Sequence, residues 1–339
     1  MFPTDGRNPF PTADMLAVVA FCVVIVMLTG GDGRVRTLRW IFVVYGVATI
    51  GSYLVPSAVG AGVARFQFVA LPLALLALSL RSRGARRRVL PLLAVILAAW
   101  INVPALASSF VNGARTDAST VAYWQPAIAF LRAHRSPSYR VEVVDTIGHW
   151  PAVYLARAGV PLARGWFRQD DFPQNAVLYG ALDAGSYATW LQILGVRYVV
   201  LSDTTPDYSA QREARLLRSG RSGLTLVHRA PQLSIYEVRS PTPIIVGPHR
   251  ARVLSLTQDG IAVALAGPGT YRLAVRYTPY WRPSTGCVSR AADGMTFLTV
   301  GQGGRARIDF SWSSGRALDA VVGQAASSCA TGRRPARGR

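Results

Sequence analysis

Four apolar runs, at 15–28, 40–55, 66–80 and 89–111, constrain this chain more than any other feature, because arginines stand between them in alternation. Arg34, Arg36 and Arg39 separate the first run from the second, and Arg81, Arg83, Arg86, Arg87 and Arg88 separate the third from the fourth. Between the second and third there is only Arg65. Positive charge collects in the cytoplasmic loops of membrane proteins, and four consecutive spans put the first and third loops on one side. Charge and spacing together predict an α-helical membrane bundle of about four transmembrane helices over 15–111, multi-pass in the cell membrane. The 1–14 lead-in, the 56–65 loop and the region after about residue 111 are then extracytoplasmic. The alternative is two buried helical hairpins of a soluble protein, which would not need charge to alternate by side. Three of the runs fall short of the roughly 20 residues of a full span; 89–111 exceeds it.

The lead-in carries Pro9 and Pro11 and reads as turns, like a loop between spans, so a piece of a longer product is expected. Its acidic residues and the lack of a small-residue cleavage site argue against a signal peptide.

All 37 basic residues are arginine, and the net charge is +20. A nucleic-acid binder would gather such charge on one face of a recognisable module. Here eight arginines sit in two predicted cytoplasmic loops and the rest are scattered, so the lipid bilayer is the expected partner and nucleic acid is not. Residues 321–339, ending in Arg333, Arg334, Arg337 and Arg339, read as an Arg-rich disordered tail.

Cys22 lies inside the first apolar run and reads as an inert buried thiol. Cys287 and Cys329 fall in the predicted extracytoplasmic region, where an oxidising compartment favours a disulfide, with two unpaired thiols as the alternative. No CxxC or HExxH occurs, so neither a metal nor another cofactor is implied.

Beyond the apolar block, alternating strand and helix patterns over 115–240 predict an extracytoplasmic α/β domain. Val196 to Ser202 is a compact apolar strand of the kind covered on both faces, and Gly195 stops the helix before it. Pro241, Pro243 and Pro248 then read as a linker. Short alternating strands over 241–320 predict a C-terminal β-sandwich.

The densest polar and aromatic stretch runs from Asp145 to Tyr179. Sugars are gripped by aromatic faces and bidentate polar groups, so His149, Trp150, Arg164, Trp166, Arg168, Asp170 and Asn175 are candidate sugar-binding residues. The plainer reading is a loop packed on a neighbouring domain. Asp170 and Asp171 are adjacent, not one residue apart as in metal–nucleotide motifs, and read as a solvated pair. No nucleophile elbow, dinucleotide fingerprint or P-loop is present.

Three stretches carry a family resemblance: Pro56 to Arg65, Leu191 to Leu201 (Leu-Gln-Ile-Leu-Gly-Val-Arg-Tyr-Val-Val-Leu) and Gly269 to Trp281. Together they resemble the C-terminal part of large bacterial, notably actinobacterial, polytopic membrane proteins of the YfhO type, which are similar to GT-C glycosyltransferases. The resemblance implies a polyprenyl-phosphate-linked sugar donor, an envelope glycan acceptor, and Arg65 as a lipid-phosphate contact. Gly62 stands where the family would lead one to expect a polar residue such as Asn, and no loop here matches the one that carries the GT-C catalytic carboxylate. The expected function is the C-terminal portion of a GT-C-like glycosyltransferase in cell-envelope glycan assembly, its catalytic base unidentified. The alternatives are a non-enzymatic membrane-anchored glycan-binding or assembly protein, or a non-catalytic subunit beside a separate catalytic membrane chain.

Overall fold

The computed structural model describes residues 10–29, 33–55, 60–79, 84–114, 116–165, 174–321 and 328–329. They form two compact units, one drawn from 10–116 and one from 117–329.

The first unit is helical: α1 (Thr12–Leu28), α2 (Arg36–Leu54), α3 (Phe66–Ser79) and α4 (Arg86–Ala114). Val18, Cys22 and Ile25 recur at helical spacing along α1 and meet Phe42 and Tyr45 of α2 and Ala70 and Ala74 of α3 in a small core. Phe21 and Phe42 pack edge to face at 5.4 Å. Most large apolar side chains of the unit point elsewhere: Trp40, Val44, Val47, Leu73, Leu92 and Trp100 are all exposed.

The predicted four-helix membrane bundle is not what forms. Among the described residues the chain is a mixed α/β molecule with three small sheets, and two helical stretches, Arg36–Leu54 and Gly62–Ser79, are long and apolar enough to cross a membrane. Helix α1 stops at 17 residues, about 26 Å at 1.5 Å per residue against a hydrocarbon core of roughly 30 Å. Helix α4 has 29 residues, and Arg88–Trp100 within it is an apolar stretch shorter than a span. Asn102, Pro104, Ser108, Ser109 and Asn112 dilute the rest, a polarity that the run at 89–111 conceals when it is taken whole. Only 17% and 24% of the two membrane-length windows is buried within the molecule, whereas a core helix of a soluble protein is covered on its apolar face.

The second unit begins with α5 (Val121–Ala133), which buries Tyr123, Trp124, Ala127, Ile128 and Leu131 along one face. Next come β1 (Arg140–Val143), α6 (Trp150–Arg157), α7 (Ala184–Leu194), β2 (Val196–Ser202), α8 (Gln211–Arg218), β3 (Thr225–Ala230) and β4 (Leu233–Glu237). The sheet order is β1-β2-β4-β3, with β1 parallel to β2 and the other pairs antiparallel. Because strand side chains alternate, Tyr198 and Val200 of β2 enter the core under α5 and α6, while Val199 and Leu201 enter the core under α7 and α8. The unbroken apolar run of β2 thus reflects a strand covered on both sides.

Eight further strands follow: β5 (Ile245–Val246), β6 (Ala251–Leu256), β7 (Gly260–Leu265), β8 (Gly269–Arg276), β9 (Trp281–Pro283), β10 (Cys287–Arg290), β11 (Met295–Val300) and β12 (Gly304–Phe310). They make two antiparallel sheets, β10-β11-β8-β5 and β6-β7-β12-β9. Leu273, Val288 and Leu298 from one sheet meet Val253, Val263 and Ile308 from the other in a shared core. The proline-rich segment expected as a linker is tied down: Ile244 is fully buried, and its N–H donates to the Ser138 carbonyl at 2.8 Å. Ala291 and Met295 pack into the core of α7 and α8, so sheets and α/β layers make one unit. A short helix, α9 (Ser314–Val321), follows β12. Cys287, at the start of β10, is disulfide-bonded to Cys329.

Candidate functional site

The carboxyl end of β1 concentrates the polar chemistry of the second unit. Asp145 lies just past the strand, and the chain then turns through Gly148 and His149, both at positive φ, into α6. At Gly148 (φ 94°) a Cβ would stand 2.9 Å from Nε1 of Trp150, so the indole's fold over the backbone requires glycine. His149 (φ 57°) holds a left-handed conformation that costs a non-glycine residue energy and concentrates at functional sites. Its Nδ1 lies 2.6 Å from Oδ2 of Asp145, whose Oδ1 accepts the Thr146 N–H at 2.9 Å. Donation from Nδ1 to the carboxylate leaves Nε2 as the proton acceptor of the neutral ring. Burial pushes the Asp145 carboxyl above the usual carboxylate range; His149 and Arg164 offset part of the shift and Asp207 adds to it.

Behind this dyad is a buried ion network. Glu142 occupies an inward position of β1, fully buried, and accepts from Nε of Arg164 at 2.9 Å. Nη2 of the same guanidinium reaches Oε2 of Glu213 on α8 at 3.1 Å. Glu213, also fully buried, accepts the Tyr187 hydroxyl of α7 at 2.6 Å. Burial and then the two glutamates push the Tyr187 phenol well above its ordinary range. The network joins β1, the segment after α6, α7 and α8.

The structure separates the candidate sugar-binding residues. His149 keeps a quarter of its side chain exposed. Trp150 is half-buried and stacks on Tyr154 with ring centres 6.0 Å apart. Arg164 is 7% exposed and engaged by two glutamates. Asn175 is buried and accepts from Nε1 of Trp190 at 3.1 Å. Those two therefore hold the fold. Trp166, Arg168 and Asp170 lie outside the described residues. Arg65 is exposed at the end of a 3₁₀ turn (Gly60–Arg65) leading into α3, in the other unit. Among the described residues no group of three or more His, Cys, Asp and Glu side chains is arranged to hold a metal ion.

No family model, curated protein or solved structure matches the chain.

Glu142, Glu213 and Tyr187 were missed in the sequence. The signal was a carboxylate in an inward position of an apolar strand, Val-Glu-Val-Val, which needs a buried cation as partner. Chemically, a histidine oriented by a carboxylate accepts a proton or a hydrogen bond from a hydroxyl.

Proposed function

We propose that the chain is a membrane-associated component of cell-envelope glycan assembly. It acts as the recognition portion of a GT-C-like system that uses polyprenyl-phosphate-linked sugars. The observation that carries this reading is the pairing of two membrane-length apolar helical stretches with a unit closed by the Cys287–Cys329 disulfide. Disulfides persist outside the cytoplasm, so the disulfide supports an extracytoplasmic second unit. Arg65 is the candidate contact for a lipid phosphate in the first unit, and His149 with Trp150 is the candidate contact for a sugar in the second.

Recognition is the first reading because, among the described residues, Glu142 and Glu213 are buried against Arg164. Catalysis of transfer to an envelope acceptor is the second reading. The Asp145–His149 dyad supports it as a base.

The test gives the full chain in lipid radiolabelled polyprenyl-phosphate sugars and an envelope acceptor extract. Retention of the labelled lipid without transfer, weakened by Arg65→Ala, is the expected result. Transfer abolished by His149→Ala would establish the second reading, and neither retention nor transfer would overturn both. A reporter fused after residue 116 should be active outside the cytoplasm only; cytoplasmic activity would refute the placement.

A further inference from the structure

By the start of β1, a cleft of about 950 Å³ opens between the α/β layers and the β6–β7 sheet. Its volume is at the upper end of small-ligand sites. Arg135 and Arg140 line one wall, and Trp281 lines the other with Ser255 and Gln258 near the β6–β7 turn. Among the described residues, none that lines it is acidic.

Arg140 is the unusual member. Its Nη1 donates to the carbonyls of Leu194, at 3.0 Å, and Ala274, which fixes the side chain between β1, the end of α7 and β8. Its Nε and Nη2 make no hydrogen bond to the described residues, and no carboxylate among them lies within ion-pair distance. Those two nitrogens form the edge of a guanidinium that takes a carboxylate or phosphate through two parallel bonds. Burial and the neighbouring Arg276 lower the Arg140 pKa to about 10, so this cation lacks compensation from the protein. Trp281 is equally fixed: Nε1 donates to the Arg276 carbonyl at 2.9 Å, and Phe310 meets the ring edge to face at 6.0 Å. A held indole and a held guanidinium edge give an apolar platform and an anion receptor that lose little entropy on binding.

We propose that this cleft binds a carbohydrate bearing an anionic group, with Arg140 taking the carboxylate or phosphate and Trp281 stacking on a sugar ring. The proposal rests on the glycan-handling reading above, and it adds a site and a ligand class.

Calorimetric titration of the full chain in lipid nanodiscs tests it, with trigalacturonate, glucose 1-phosphate and maltotriose as carboxylated, phosphorylated and neutral probes. At least one anionic probe should bind ten or more times tighter than maltotriose, and which one does identifies the acidic group. Arg140→Lys, which keeps the charge and loses the fork, and Trp281→Leu should each weaken that binding at least tenfold. Arg140 also ties strands together, so the exposed Arg135→Gln serves as a check without that risk and should weaken binding two- to fivefold. Failure of both anionic probes to bind, equal affinity for maltotriose, or wild-type affinity in all three variants would overturn the proposal. Cleft variants that still retain polyprenyl-phosphate sugar while losing the anionic probes would separate this site from the lipid-linked one. Loss of lipid retention with intact probe binding would instead strike the broader reading alone.

Discussion

His149 and Asp145 are joined Nδ1 to Oδ2 at 2.6 Å across the turn that links β1 to α6. The carboxyl sits largely out of water, and Arg164 and Asp207 act on it as well as His149. Its folded-state pKa is raised, so its contribution to stability is full below the ordinary carboxylate value of 3.8 and is lost as pH rises through the raised value. Asp145→Asn removes that titration. The variant's melting temperature should therefore gain on the wild type as pH rises from about 4 into the raised range. Thermal unfolding across that range checks it; a difference that stays constant with pH would refute the assignment.

Glu213 answers two donors at once, Nη2 of Arg164 and the hydroxyl of Tyr187, with no exposure to solvent. Removing it leaves a buried cation with one fewer partner and a buried hydroxyl without an acceptor. Glu213→Ala should cost about 3–5 kcal/mol, the range for breaking a buried ion pair from one side. Glu213→Gln, which keeps the acceptor oxygen for Tyr187, should cost less. Denaturant unfolding of the two variants side by side measures the difference. Equal losses would mean that volume, not charge, is what Glu213 supplies.

The strands and helices of the second unit were legible where the pattern was local. The apolar run at 196–202 is β2, and Gly195 ends the helix before it, α7. Of the short alternating strands expected over 241–320, β8 is one, with Tyr271 and Leu273 buried on one face. Strands β5, β9 and β10 were not found, because two to four residues give alternation too little length to register. The membrane bundle was over-read because apolar composition does not report where a helix stops: α1 ends after 17 residues, and Asn102, Ser108, Ser109 and Asn112 interrupt the second half of α4. The site was legible only in His149. Whether an arginine such as Arg164 faces a ligand or a buried glutamate depends on residues 22 and 49 positions away, and no local window holds that information.

Gly195 ends α7 at φ 72°, and a Cβ there would lie 3.0 Å from Cγ1 of Ile244 and 3.2 Å from its backbone. Ile244 is fully buried at the junction between α/β layers and sheets, so it has little room to give. Gly195→Ala combines a left-handed conformation that a β-carbon resists with a tight contact, and should cost about 1–3 kcal/mol. Thermal unfolding reads the loss. Because Arg140 reaches the carbonyl of Leu194 next door, the same variant should also weaken binding in the cleft; unchanged binding would show that the two walls are positioned independently.

Cys287 and Cys329 are 42 residues apart in sequence, and the bond between them closes that whole segment onto the edge strand β10. Cross-linking a loop of this length should stabilise by about 4 kcal/mol in the chain-entropy model. The Ser328 hydroxyl anchors the same segment by donating to the Val288 carbonyl and accepting its N–H. Cys287→Ser combined with Cys329→Ser should lower the melting temperature by several degrees under oxidising conditions and leave no further effect of reductant, whereas the wild type should fall to the variant's value when reduced. Thiol labelling in intact cells adds the compartment. If the unit is extracytoplasmic, both cysteines should resist alkylation until a reductant is added. Labelling without reductant would place them in a reducing compartment and remove the observation on which the proposed function stands.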